Sequence, residues 1–129
     1  MIVIDTHIWL WWVLDPKPLT RRQMEALLAH EQDVIGVSVI SCWEIAKLVQ
    51  LGRIELKRSL KTWLEMALGY PGIQVLPLTP EIATLATQLP DGFRSDPADE
   101  IIVATALHYS CSLVTSDGKM REYAHVRTI

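Results

Sequence analysis

Four short apolar runs constrain this chain more than anything else in it. Met1–Asp5 (M-I-V-I-D), Asp33–Val39, Ile73–Leu78 and Cys111–Thr115 are separated by stretches whose apolar residues recur at helical spacing. A continuous apolar run of this length suits a strand buried on both faces, as in the interior of a parallel sheet. Strands that alternate with helices then predict an α/β fold, a parallel sheet with helices on both faces.

The stretches between the runs carry their own start and stop signals. His7–Leu14 is dense in Trp9, Trp11 and Trp12, and Pro16 and Pro18 close it. Thr20 is placed to cap a helix through about His30, with Met24, Leu27 and Leu28 on one face. Ser41 opens a helix bearing Ile45, Leu48 and Val49 that Gly52 ends. A helix over Leu60–Leu68 is broken by Gly69 and Gly72, and Thr79-Pro80 begins another from Glu81 to about Gln88. Leu89–Arg94 reads as a loop. Asp96 and Pro97 then open a helix that runs to about Tyr109, Ser116-Asp117-Gly118 reads as a turn, and Val126–Thr128 as a short last strand. With no internal repeat and no linker, residues 1–129 are expected to form one domain.

Composition narrows the functional classes. Half of the residues are hydrophobic and the formal net charge is -3, which argues against nucleic-acid binding by bulk electrostatics alone but leaves open phosphate binding through a metal. No apolar stretch reaches the ~18 residues of a membrane span, and the first residues lack a signal peptide's basic region, so a cytoplasmic protein is expected. Cys42 and Cys111 have no zinc-site spacing and read as reduced core thiols. The four histidines show no metal-binding pattern.

The chemistry lies in the acids. Asp5 ends the first strand, Glu44 falls near the start of the helix after the second, Asp99 opens the helix before the fourth, and Asp117 follows the fourth. Ligands of an open parallel sheet bind beyond the carboxyl ends of its strands, so these acids are expected along one edge. Each also has a plain structural role available. Asp5 suits an N-cap, Glu44 the S-x-x-E capping box with Ser41, Asp99 the third helical position after the Asp96 cap, and Asp117 an Asx turn. If they converge, four carboxylates cannot all stay ionised at close range without a cation. An all-oxygen site suits Mg²⁺ or Mn²⁺, the chemistry of in-line displacement at phosphorus.

The motifs V-I-D-T at Val3–Thr6, S-x-x-E-I-A at Ser41–Ala46, the D-x-I-x-A-T-A-like stretch Asp99–Ala106 and V-T-S-D-G-K-M at Val114–Met120 arrive in the order and spacing of a known family. The chain resembles the PIN-domain ribonucleases, and among them the VapC-like toxins of toxin–antitoxin pairs. The resemblance implies an α/β/α sandwich with a mainly parallel sheet of four to five strands. It implies Mg²⁺- or Mn²⁺-dependent cleavage of RNA by a metal-activated water. It also implies a cognate antitoxin partner and a homodimer. Carried over position by position, Asp5, Glu44, Asp99 and Asp117 match the family's acidic quartet as metal-holding and catalytic residues. Thr6, Ser41, Thr115 and Ser116 are candidates for hydrogen bonds that orient those carboxylates, and Asp96 is either an added site residue or only a cap. Glu100 is a departure, since many relatives carry a basic or small residue after the third acid.

Two further features admit two readings each. Arg53, Lys57, Arg58 and Lys61 fall within nine positions and either contact RNA phosphates or solvate a helix end. The rings of Trp9–Trp12 cannot all face one core from a single helix, so they form a partner-binding groove or pack between helices. A PIN-type nuclease of RNA processing without an antitoxin, and a non-catalytic module of the same fold, are the alternative functional readings.

Overall fold

Register makes this fold. In the computed structural model, which describes residues 1–129, β1 (Ile2–Ile4) pairs in parallel with β2 (Ile35–Ser38) on one side and β4 (Ser112–Val114) on the other. Strand β3 (Ile73–Leu76) extends the sheet beyond β2, so the order is β3-β2-β1-β4, all parallel. The chain winds outward from β1 through β3 and then returns to the other side of β1. Strand order therefore reverses between β1 and β4.

Pleating sends successive side chains to opposite faces. Val3 and Leu113 face the layer that contains α5 (Pro80–Thr87) and α6 (Pro97–His108), in a cluster with Ile82, Ile102 and Met120. Ile2, Ile4, Ile35, Val37 and Val114 face the layer of α1 (Thr6–Leu14), α3 (Val39–Gln50) and α4 (Leu60–Leu68). The result is an α/β/α sandwich with a core on each side of the sheet.

The helix starts follow the capping chemistry in the sequence. Thr20 and Gln23 form a reciprocal capping box at the head of α2 (Arg21–Ala29). Gln23, 2% exposed, also donates from Nε2 to the Thr115 and Ile129 carbonyls, which ties α2 to the end of β4. Thr79 caps α5 and Asp96 caps α6, each followed by proline in the first turn. Gly72 sits at φ +82° where a Cβ would lie 2.7 Å from the His30 carbonyl oxygen, so only glycine fits the approach to β3.

Four expectations need correction. Helix α3 begins at Val39 with Ser38 as its cap, so Ser41 and Glu44 lie inside the helix and form no capping box. Ser116-Asp117-Gly118 is not a free turn: Asp117 caps a short helix, α7 (Gly118–Glu122), by accepting from Met120 N. Val126–Thr128 is no strand, since only Thr128 bridges to Leu113. Within Leu89–Arg94, Pro90–Gly92 form one 3₁₀ turn.

The tryptophans of α1 divide. Trp9 is fully buried against Trp63 of α4, ring centroids 5.6 Å apart, and takes no part in a surface groove. Neither indole N–H finds an acceptor, so burial and ring contact hold this pair. Trp12 meets Tyr70 edge-on at 5.3 Å, and Trp11 lies 6.0 Å from His7. No helix is long and apolar enough to cross a membrane.

Candidate active site

The β1–β4 register places Asp5 beside Thr115, one residue past the pair Ile4–Val114. Asp5 is 3% exposed and caps α1: Oδ1 accepts from Thr6 N at 2.7 Å, and Oδ2 accepts from Thr115 Oγ1 at 2.8 Å. The same Thr115 oxygen accepts from Asp117 N at 3.0 Å. One hydroxyl thus couples the acid that ends β1 to the acid that follows β4, at the point where strand order reverses.

Thr6 makes the link to α3. Its Oγ1 reaches Glu44 Oε1 at 2.5 Å and Ser41 Oγ at 2.8 Å. A hydroxyl has one hydrogen and a carboxylate only accepts, so that hydrogen goes to Glu44 and Ser41 supplies the one between the two hydroxyls. Asp99, in the first turn of α6, accepts from Ser95 Oγ at 2.7 Å through Oδ2, while its backbone N–H donates to Asp96 Oδ1 at 2.9 Å. Carboxylate oxygens of Glu44, Asp96 and Asp99 all lie within 4.8 Å of one another.

These acids feel one another. Burial raises Asp5 above the ordinary carboxylate range, opposed by the Thr115 hydroxyl and by His7, and Asp117 adds to the rise. Burial also raises Glu44, against the Thr6 hydrogen bond and with help from Asp5, Asp99 and Asp96. Asp99 is pushed up to about 6 by burial, then by the charges of Asp96, Asp5 and Asp117, with Ser95 pulling the other way. Five carboxylates therefore share one field, which His7 offsets at Asp5. An all-carboxylate donor set short of positive charge is what a hard divalent cation fits.

The structure also separates some candidates from this group. Ser116 is exposed, and its Oγ accepts from Gln23 Nε2 at 3.1 Å rather than donating to any carboxylate, because the Asp117 cap turns the chain outward there. Arg53, Lys57, Arg58 and Lys61 are all exposed and form no ion pair, and none lines the cleft that adjoins Glu44 and Asp96. Glu100 is half-buried and faces a different depression, beside Phe93 and Arg94.

Two residues at the site escaped the sequence reading. Ser95 is the hydroxyl on Asp99, and its signal was present four residues before that acid. Trp43 precedes Glu44 on α3 and stays 56% exposed beside it, a fact that composition cannot supply.

Residues 2–126 match the family described as PIN domain. The chain belongs to the PIN domain family. Among curated relatives, Ribonuclease VapC22 of Mycobacterium tuberculosis (strain ATCC 25618 / H37Rv) is 32% identical over 128 residues, 99% of this chain and 95% of that protein. Two solved structures share the PIN fold. VapBC2 from Rickettsia felis, bound to a promoter DNA fragment, has a TM-score of 0.72 at 16% identity, covering 100% of this chain and 98% of that one. A toxin–antitoxin complex from Klebsiella pneumoniae has a TM-score of 0.66 at 20% identity, covering 98% and 95%. At those identities the likeness is one of fold, and the PIN sheet edge is where the five carboxylates meet.

Proposed function

We propose that this chain is a metal-dependent endoribonuclease, acting as one PIN domain over residues 1–129, and the toxin of a toxin–antitoxin pair. The observation that carries the reading is the convergence of Asp5, Glu44, Asp99 and Asp117, with Asp96 beside them, in a fold whose 32%-identical relative is a ribonuclease. In this reading Asp5, Glu44, Asp99 and Asp117 hold Mg²⁺ or Mn²⁺. A bound divalent cation would offset the charge of the acids and the phosphate and would lower the pKa of a water so that it could lose a proton and attack phosphorus as hydroxide.

The chain's own residues do the positioning. Asp5 is fixed by its cap to Thr6 and its bond from Thr115, so its carboxylate cannot swing away when the site is empty or charged. Thr6 aims Glu44 and Ser95 aims Asp99. Arg53, Lys57, Arg58 and Lys61 are proposed to hold phosphates remote from the cut, as sequence-independent contacts that weaken with salt. An antitoxin partner accords with the neighbouring fold from Klebsiella pneumoniae, itself a toxin–antitoxin complex, and a homodimer is the proposed assembly.

The test is cleavage of total cellular RNA by the purified chain with Mg²⁺, with Mn²⁺ and with EDTA, beside Asp5→Asn and Asp99→Asn. We expect discrete cuts with a divalent cation, none in EDTA and none in either variant. RNA cut equally well in EDTA, or by both variants, would defeat the reading.

A further inference from the structure

We propose that Trp43 is a stacking platform for an unpaired nucleobase of the RNA, in the nucleotide beside the phosphate that is cut. The proposal rests on the ribonuclease reading above and adds to it a residue that positions the strand beside the cut.

Five tryptophans are present, and four have an aromatic neighbour. Trp9 and Trp63 face each other in the core, Trp12 meets Tyr70, and Trp11 lies against His7. Trp43 alone has no ring beside it, and over half of its surface is in water. Packing does not explain it, because α3 turns Ser41 and Ile45, not Trp43, into the interior.

What Trp43 does border is a cleft of about 420 Å³, lined with Ile40, Glu44, Asp96, Pro97 and Ala98. Its walls are apolar on the α3 side and at the first turn of α6. Glu44 and Asp96 also belong to the group of carboxylates gathered within 4.8 Å. The cleft and the acidic site therefore share two side chains. A phosphate drawn to those acids through a cation would have its neighbouring base one sugar away, over the Trp43 ring.

A nucleobase suits both parts of this cleft. Its face stacks on an indole whatever the sequence, and its exocyclic amines and ring N–H groups are donors. Asp96 uses Oδ1 to cap α6, and its Oδ2 makes no hydrogen bond, so an acceptor is left for such a donor. A second apolar protein surface seated on Trp43 would instead cover the Glu44 and Asp96 carboxylates without donors, which is costly. In a paired duplex the bases are stacked inward and the ring would have no face to meet.

The experiment uses the full chain and a labelled oligoribonucleotide that spans a cut mapped in cellular RNA. Two further copies of that oligonucleotide carry an abasic nucleotide on one side of the cut or the other. Wild type, Trp43→Leu and Trp43→Phe are compared for KM and kcat with Mg²⁺ or Mn²⁺, and sedimentation equilibrium gives the oligomeric state of each. Trp43→Leu should raise KM about tenfold with a smaller change in kcat, and Trp43→Phe should restore most of it. One of the abasic changes should cost wild type a similar factor and cost Trp43→Leu almost nothing, because the partner of the missing base is already gone. An unchanged KM in Trp43→Leu, or abasic penalties that simply add to it, would overturn the platform while leaving the nuclease standing. A KM that rises only as a dimer dissociates would assign Trp43 to a contact between copies. A wild type that cuts no RNA would overturn the ribonuclease reading, and this proposal with it.

Discussion

The two halves of the acidic site are built differently. On the β1–β4 side, Asp5 is 3% exposed and held by two hydrogen bonds, one through a hydroxyl that also anchors the backbone of Asp117. On the α3–α6 side, Glu44 and Asp99 are half-buried, Asp96 is exposed, and one hydroxyl each steadies Glu44 and Asp99. The first half is part of the sheet's own bonding and stays in place whatever occupies the site. The second gathers like charges from within α3 and from the start of α6, where the fold gains little from their ionisation. Stability and cation dependence should therefore separate across the site.

The widest separation comes from the cation itself. Added Mg²⁺ or Mn²⁺ binds only the folded site, so at a hundredfold excess over its dissociation constant it should stabilise wild type by about 2.7 kcal/mol. Asp99→Asn should lose most of that gain. Thermal unfolding of both proteins across a Mn²⁺ titration reads this directly, and an equal rise in the two would place the ion away from α6.

Removing the fixed acid should damage the fold as well as the activity. Asp5→Ala deletes the α1 cap and leaves the Thr6 amide and the Thr115 hydroxyl facing a methyl group, a loss of about 2 kcal/mol. The relief from no longer burying the carboxylate, which burial raises, works against that loss. Urea unfolding in EDTA should show a lower midpoint with an unchanged slope. A midpoint at or above wild type would mean that Asp5, like Asp99, is a strained acid and not a fixed one.

This division explains what the sequence could and could not reveal. The four strands were legible because runs such as Met1–Asp5 have few alternatives at that length, and the caps at Thr20, Thr79 and Asp96 use local chemistry that needs no distant partner. Asp5 and Asp117 likewise follow strand ends. Glu44 is different: S-x-x-E reads locally as a capping box, but the buried Ser38 starts α3 three residues earlier and frees Glu44 to meet Thr6, 38 residues away. The role of Thr6 depends on strand register, which no single stretch encodes. Trp9 and Trp43 look equivalent in sequence, but Trp63 of α4 covers the first, while α3 turns Ser41 and Ile45 inward and leaves the second open.

The smallest effect is the sharpest test, because its sign runs against ordinary expectation. Asp99 titrates at about 6 in the fold against 3.8 for a free aspartate, with burial the largest cause. A raised acid means that the folded state holds the proton more tightly than the unfolded chain. Its favourable contribution is full below about pH 3.8 and is lost as pH rises to about 6, so at neutral pH the ionised Asp99 opposes folding. Asp99→Asn keeps an oxygen for the Ser95 hydroxyl and removes the charge. In EDTA it should unfold later than wild type at pH 7, by about 1 kcal/mol once solvent screening of a half-exposed carboxylate is allowed for. The gap should close as pH falls toward 4, where wild type is protonated as well. Thermal melts from pH 4 to 8 would show two curves that meet in acid and part through the window from 3.8 to about 6. A variant that is less stable than wild type at pH 7 would mean that α6 gains more from the negative charge at its first turn than it loses to the neighbouring acids. The two halves of the site would then be equally part of the fold.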